Sequence, residues 1–210
     1  FEQKFSEYTG AKHSILVNSG SSANLLLIQS LKNIGLLRDG DAVGFSAITW
    51  STNVMPLIQL GLVPVPVDCD VTTLNTMSNN LEDTLKIRPL KAMFITNALG
   101  LAGDLERIRD ICSDRGILLI EDNCESLGSE LPAGKTGTFG LASTNSFFVA
   151  HPLPTVEGGR VTTDHPDLAE ALVIARANGW DRNLAPDRQA AIRAKHSVVD
   201  EFTSKYTFYD

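Results

Sequence analysis

Basic residues are in the minority in this 210-residue chain, which has 18 Lys and Arg against 25 Asp and Glu and a formal net charge of −7. Because nucleic acids and anionic lipids bind basic surfaces, we expect neither a nucleic acid nor a membrane as a partner. No apolar run is long enough to span a membrane, and the N-terminal Phe1-Glu2-Gln3-Lys4 lacks the features of a secretory signal. One locally positive site could still bind an anionic small molecule.

Cysteine is also scarce, with only Cys69, Cys112 and Cys124 in the chain. Their odd number and wide spacing match neither a disulfide framework nor a metal-knuckle pattern, so we predict no metal site. A protein without disulfides is typical of a reducing compartment, and we therefore expect a cytoplasmic location.

The chain does contain an alternation of short apolar runs with amphipathic stretches. This alternation predicts an α/β fold with a mixed, mostly parallel sheet between helices. We predict strands at 14–17, 41–46, 62–67, 90–96, 117–120, 143–149 and 159–163, with a glycine-rich hairpin at 134–140. The first main predicted helix follows the turn at 18–22 and runs through residue 36, and the others cover 51–60, 104–115 and 166–178. Residues 180–195 are polar and predict a surface loop.

A phosphate site is one interpretation of the strand–turn–helix that contains Gly20, Ser21 and Ser22. Small residues let the backbone approach a ligand, and a helix N-terminus offers free N–H groups and a positive dipole end. The alternative is an ordinary helix cap formed by Ser19 or Ser21.

Three other residues are candidates for chemistry. Asp122 closes an apolar strand, and ligands of open α/β sheets bind at the carboxyl ends of strands, although a cap or turn acid is the alternative. Trp50 could stack on a planar ring or belong to the core. His151 lies between an apolar strand and a proline-rich turn, where it is either catalytic or structural.

Together these segments resemble the DegT/DnrJ/EryC1/StrS sugar aminotransferases, a branch of the fold-type I pyridoxal phosphate enzymes. Five stretches occur in family order: "VNSGSSANL", "AITWST", "GLVPVPVDCD", "GILLIEDNCESLGS" and "GTFGLASTNSFFVAHPLPTVEGG". The resemblance implies a three-layer α/β/α cofactor domain over residues 1–179, with an N-terminus that looks truncated. Residues 180–210 would then be a polar excursion that leads to a C-terminal domain outside this chain.

The resemblance also implies roles for individual residues. Gly20, Ser21, Ser22 and Ser146 would surround the cofactor phosphate, and Trp50 would stack on its ring. Asp122 would pair with the protonated ring nitrogen, which keeps the ring able to accept electrons. Glu125 occupies the position where the family often has a glutamine that faces the ring hydroxyl.

His151 departs from the aminotransferase pattern, which has the cofactor-linking lysine five residues after the phosphate-site serine. Imidazole forms no stable imine but does move protons near neutral pH. The substitution is similar to that of the B6-dependent 3-dehydratases of nucleotide-linked 4-keto-6-deoxysugars. It implies pyridoxamine phosphate as a non-covalent cofactor and His151 as the acid/base in loss of the sugar C3 hydroxyl.

The two branches of that subgroup differ in how the cofactor is regenerated. One branch holds a [2Fe–2S] cluster, which needs four thiolates, and no cysteine follows Cys124 here. We therefore expect the cluster-free branch, with L-glutamate as amino donor, and a homodimer as in the family. Pro152, where the subgroup often has a second histidine, leaves the identity of the sugar open.

Two alternatives to the dehydratase remain at this point. The first is an aminotransferase that uses another lysine, for which Lys135 is the nearest candidate. The second is a non-catalytic binding subunit with this fold.

Overall fold

A computed structural model of the chain describes residues 1–198, which form a sheet flanked by helices. The strands are β1 (His13–Val17), β2 (Ala42–Ser46), β3 (Val63–Val67), β4 (Ala92–Thr96), β5 (Leu118–Asp122), β6 (Glu130–Leu131), β7 (Gly134–Lys135), β8 (Ala142–Ser146) and β9 (Gly159–Thr163). The helices are α1 (Glu2–Thr9), α2 (Gly20–Asn33), α3 (Ser51–Gln59), α4 (Ser78–Ile87), α5 (Leu105–Arg115), α6 (Pro166–Arg176) and α7 (Pro186–Lys195), with a short 3-10 turn at Ala98–Gly100.

Seven strands make one mixed sheet in the order β1-β9-β8-β5-β4-β2-β3, and β6 and β7 form a separate hairpin. The pairs β2–β3, β2–β4, β4–β5 and β5–β8 are parallel, whereas β9 is antiparallel to both of its neighbours. The predicted mixed, mostly parallel α/β sheet is therefore confirmed.

Both faces of the sheet are covered, as alternate residues of β4 illustrate. Ala92 and Phe94 pack in one apolar cluster with residues of α2 and α6, and Met93 and Ile95 pack in a second with residues of α4 and α5. Successive strand residues point to opposite faces, so a continuous apolar strand implies burial on both sides. The result is the predicted three-layer α/β/α arrangement.

A buried guanidinium fastens α1 to the sheet. Arg160 on β9 is 2% exposed and donates to the Asn145 side-chain oxygen at 3.1 and 2.7 Å. Its guanidinium also lies 3.6 Å from the centre of the Phe5 ring, a cation–π contact. Burial lowers the pKa of Arg160 to about 9.

Several predicted elements need correction. β8 ends at Ser146 rather than 149, because the chain then turns, with the Phe148 N–H donating to the Ser146 hydroxyl at 3.2 Å. The hairpin lies earlier than predicted, since Glu130–Leu131 pairs with Gly134–Lys135. Helix α4 is absent from the prediction, because its sequence is polar and only its inward side meets the core.

The predicted loop at 180–195 is wrong in its second half, where α7 forms. Pro186 starts the helix in its first turn, a position that tolerates proline, and Ile192 packs against Ile174 of α6. Arg193 pairs at 2.7 Å with Asp181, which is 3% exposed. The predicted excursion beyond residue 198 lies outside the described residues. Within residues 1–198 no helix is long and apolar enough to cross a membrane.

Candidate active site

Three of the predicted site segments meet at the carboxyl edge of the central strands. β5 ends at Asp122 and the neighbouring β8 ends at Ser146, with Asp122 in register with Thr144. Gly20, which opens α2, reaches the same edge, and a Cβ on it would lie 2.6 Å from the Ser146 Cβ. Parallel strands end at a common edge, so the topology itself assembles these groups.

The turn between β1 and α2 is both a helix cap and an open helix N-terminus. The Ser19 hydroxyl accepts the Ser22 N–H at 3.1 Å, which is the capping alternative raised by the sequence. No acidic residue occupies the first turn, and the Ser21 side chain is exposed. A cap therefore coexists with an end of α2 that favours an anion.

The paired glycines at the start of β9, Gly158 just before it and Gly159 as its first residue, let the chain pass directly over this turn. A Cβ on Gly159 would lie 2.2 Å from the Ser19 carbonyl carbon and 2.6 Å from the Gly20 nitrogen. Gly158 forms a β-bridge with Ser19 and has a φ of +144°. Only glycine fits this approach, which explains the "EGG" part of the sequence.

Asp122 is 4% exposed and is surrounded by neutral donors. Its Oδ2 accepts the side-chain amides of Asn24 at 3.0 Å and Asn53 at 2.7 Å, and its Oδ1 accepts the Cys124 N–H at 2.9 Å. Among the described residues no Lys, Arg or His forms an ion pair with it. Because a buried carboxylate is stabilised by a cation, this position suits a cationic group of a ligand.

His151 is half-buried and lies five residues beyond the end of β8. Its backbone N–H donates to the Phe148 carbonyl at 2.9 Å, and its ring meets the Phe148 ring edge-on with centres 5.9 Å apart. Its Nδ1 atom is buried and has no hydrogen-bond partner in the described part of the chain. The backbone of His151 is thus held by a hydrogen bond while the Nδ1 atom of its ring stays unpaired within the described residues.

Trp50 and Glu125 are placed differently from these buried groups. Trp50 is 74% exposed at the start of α3, where a ring could stack on its face. The exposed Glu125 accepts the Leu99 N–H at 2.6 Å, and Leu99 has a positive φ of 58°. Glu125 therefore braces a strained loop residue in this structure, and its predicted contact with a ring hydroxyl stays a prediction.

Asn24 and Asn53 are functional candidates that the sequence did not reveal. A signal existed, since Asn24 is an amide within the apolar run "ANLLLI" on α2, and asparagine is a poor residue for a helix interior. Their common partner, however, is 98 and 69 residues away in sequence. A local sequence pattern cannot predict a contact between residues that are so far apart in the chain.

The site as a whole fits a phosphorylated ring with a protonated nitrogen. Its helix N-terminus and the hydroxyls of Ser21, Ser22 and Ser146 suit the phosphate, and Asp122 suits the ring N–H. The small residues around Gly20 let that phosphate approach the backbone.

Comparison with known proteins finds relatives over most of the chain. The family model described as the DegT/DnrJ/EryC1/StrS aminotransferase family matches residues 1–199. The chain is 41% identical over 186 residues, 88% of this chain and 47% of the relative, to a GDP-4-keto-6-deoxy-D-mannose 3-dehydratase of Yersinia pseudotuberculosis. The chain therefore spans about half the length of the curated relatives it matches.

Two solved structures are similar as well. A mutant of GDP-4-keto-6-deoxymannose-3-dehydratase (ColD) with bound GDP-perosamine has a TM-score of 0.88 and 35% identity, and the match covers 100% of this chain and 54% of that one. A structure of GDP-4-keto-6-deoxymannose-3-dehydratase with a trapped PLP-glutamate geminal diamine has a TM-score of 0.82 and 38% identity, covering 88% and 48%.

Proposed function

The chain belongs to the DegT/DnrJ/EryC1/StrS aminotransferase family, and from this premise we propose that its protein is a B6-dependent dehydratase. The proposed reaction removes the C3 hydroxyl of a nucleotide-linked 4-keto-6-deoxyhexose. The observation that carries the proposal is His151, which stands in the segment after β8 with its Nδ1 unpaired within the described residues. Relatives named as 3-dehydratases of such sugars support the same substrate class.

Pyridoxamine phosphate is the cofactor that we propose for this site. When bound, it supplies an amine that condenses with the sugar ketone and a ring that accepts electrons. Ser21, Ser22 and Ser146 would hold its phosphate at the N-terminus of α2, and Trp50 would cover one face of the ring. Asp122 would accept the ring N–H.

His151 would hold and move the proton in this reaction. An imidazole takes up a proton at one atom and delivers it to a leaving hydroxyl, which departs more readily as water. The backbone hydrogen bond holds the main chain of His151, and its ring lies edge-on against Phe148. A lysine at the same position would instead compete for a covalent bond with the aldehyde form of the cofactor.

Glutamate is the proposed amino donor that regenerates the amine. The relative with a trapped PLP-glutamate adduct supports this choice. We propose the branch without an iron–sulfur cluster, for which the glutamate adduct of that relative is the support. We also propose a cytoplasmic homodimer, for which the reduced cysteines and the family are the support.

Lys135 is the lysine that an aminotransferase alternative would need. Its ammonium donates to the Tyr8 carbonyl at 3.1 Å and lies 4.3 Å from the centre of the Tyr8 ring. Neither contact involves the residues that would hold the cofactor. The position of Lys135 thus favours the dehydratase over this alternative.

Replacement of His151 by asparagine tests the proposal. We expect the complete protein with His151→Asn to bind pyridoxamine phosphate as wild type does and to lose roughly 100-fold or more in turnover, the usual loss of an acid/base. The measurement is formation of 3-deoxysugar from GDP-4-keto-6-deoxymannose and glutamate. His165→Asn is the matched control, because His165 caps α6 and asparagine also caps helices. Undiminished turnover in His151→Asn would refute the role.

A further inference from the structure

Asn24 and Asn53 connect the three elements that would surround the cofactor. Asn24 lies one turn into α2, beyond the phosphate turn, and Asn53 lies in α3, three residues after Trp50. Both are fully buried, and both side-chain amides donate to Asp122 at the end of β5. Asn24 also donates to the Thr52 carbonyl at 3.3 Å, which ties α2 to the first turn of α3.

The hydrogen bonds occupy the two oxygens of Asp122 unequally. A carboxylate oxygen accepts about two hydrogen bonds. Oδ2 already accepts both asparagine amides, whereas Oδ1 accepts one N–H, from Cys124. The Cys124 thiol also lies beside Asp122 as a weak donor. Oδ1, which accepts fewer N–H groups than Oδ2, is therefore the oxygen better placed to accept a further N–H donor.

The negative charge of Asp122 fixes the orientation of the two amides. This orientation has a cost in folding free energy, because it leaves the amide oxygens unpaired. Turned by 180°, either amide would place its carbonyl oxygen against the Asp122 carboxylate, which is repulsive. In the observed orientation Oδ1 of Asn24 and Oδ1 of Asn53 are buried, and neither has a hydrogen-bond partner within residues 1–198. A buried unpaired acceptor is destabilising, so packing alone does not account for two of them around one carboxylate.

We propose that Asn24 and Asn53 are positioning residues that turn Oδ1 of Asp122 toward the ring N–H of the cofactor. They also set the distance of Asp122 from the phosphate turn and from the ring-stacking segment. The inference rests on the cofactor part of the proposed function. It does not depend on which sugar is the substrate.

Replacement of each asparagine by leucine, which has a similar volume and no donor, tests the proposal. The probes are pyridoxamine phosphate and its 1-deaza analogue, which lacks the ring nitrogen, titrated into the complete protein with dissociation constants read from cofactor absorbance. Wild type is expected to prefer the natural cofactor. Asn24→Leu and Asn53→Leu should each reduce that preference at least roughly tenfold, because a charge-assisted hydrogen bond is misaligned.

Ser30→Ala is the matched control, since Ser30 is a buried polar residue of α2 whose hydroxyl has no partner within the described part. It should leave the preference unchanged. If the leucine variants weaken both ligands equally, the asparagines are only structural and the inference is wrong. If wild type binds neither ligand, the proposed cofactor is wrong and the inference falls with it. If the preference behaves as expected but no keto-sugar is dehydrated, the inference stands and the proposed reaction fails.

Asn53→Asp gives a second test should the leucine variants fail to fold. At low pH the new carboxyl is protonated and donates to Oδ2 of Asp122, but once ionised it repels that carboxylate. The cofactor affinity of Asn53→Asp, taken relative to wild type at each pH, should therefore fall as pH rises. Among the described residues the Cys124 thiol lies beside Asp122 and the Glu125 carboxyl lies near that thiol, and both groups are the same in the two proteins. A pH-independent ratio would contradict the proposal.

Discussion

Cys124 shows at the scale of one residue how the site controls reactivity. Its backbone N–H donates to Asp122, and its sulfur would lie 3.0 Å from a Cβ on Gly20. Burial raises the pKa of the Cys124 thiol well above the usual 9.0, and the negative charge of Asp122 raises it further. A thiol that stays protonated is a poor nucleophile, so we do not expect Cys124 to take part in the proposed reaction.

The reactivity of Cys124 toward iodoacetamide follows from this pKa shift. Because only the thiolate reacts, native Cys124 should be alkylated slowly at pH 8, and its rate should still be rising above pH 9. Peptide mapping by mass spectrometry measures that rate. Ser113→Cys, which adds an exposed thiol on α5, should react as an ordinary cysteine. A Cys124 rate that levels off below pH 9 would contradict the assignment.

Glu121 accepts hydrogen bonds from the loop that leads into β8. This carboxylate is fully buried, and burial raises the pKa of Glu121 while three backbone N–H groups oppose the rise. Its Oε1 accepts the N–H groups of Phe139 and Gly140 at 2.8 and 2.9 Å, and its Oε2 accepts the Gly137 N–H at 2.7 Å. The Glu121 side chain therefore holds the segment 137–140, which leads into β8 and so toward Ser146.

Glu121→Gln should destabilise the protein, because an amide NH₂ would then face N–H donors that have no other acceptor. We expect a loss of about 2 kcal/mol in the free energy of unfolding, measured by urea denaturation. Glu130→Gln is the control, since Glu130 is exposed in β6 and lies 3.9 Å from Lys135. Equal stability of Glu121→Gln and wild type would show that the carboxylate does not hold this segment.

Elements with an apolar signal were predictable and those without one were not. The strands at 62–67 and 90–96 agree with β3 and β4 within two residues, because an apolar run lies at the centre of each. α4 has Leu81 as its buried apolar residue, and α7 buries Ile192 and is otherwise polar. Their helical state depends on packing against the rest of the fold, which local composition does not report.

At the scale of the whole molecule, the parts of the site that could be predicted from the sequence are those that the sheet topology brings together. The positions of Asp122 and Ser146 at one edge follow from parallel strands, and the approach of Gly20 follows from the short turn after β1. The amide contacts of Asn24 and Asn53 span the fold and could not be predicted. The sequence left open whether Trp50 stacks on a ring or belongs to the core, and its 74% exposure excludes the core.

The chain spans about half the length of its curated relatives, yet it contains every residue to which we assign cofactor binding. Those residues all lie between Gly20 and His151, at the start of α2, at the start of α3, at the ends of β5 and β8, and in the loops that follow these two strands. Cofactor binding by these residues does not depend on which residues would bind the sugar. The central claim, a B6 site without a cofactor-linking lysine, therefore stands or falls on this part of the protein.

Borohydride reduction tests that claim most directly. The complete protein is incubated with pyridoxal phosphate, reduced, and weighed intact by mass spectrometry. We expect no pyridoxyl adduct in wild type, together with a cofactor absorbance band that survives desalting, and we expect one adduct in His151→Lys. A stoichiometric adduct on a single lysine of wild type would contradict the account and indicate an aminotransferase.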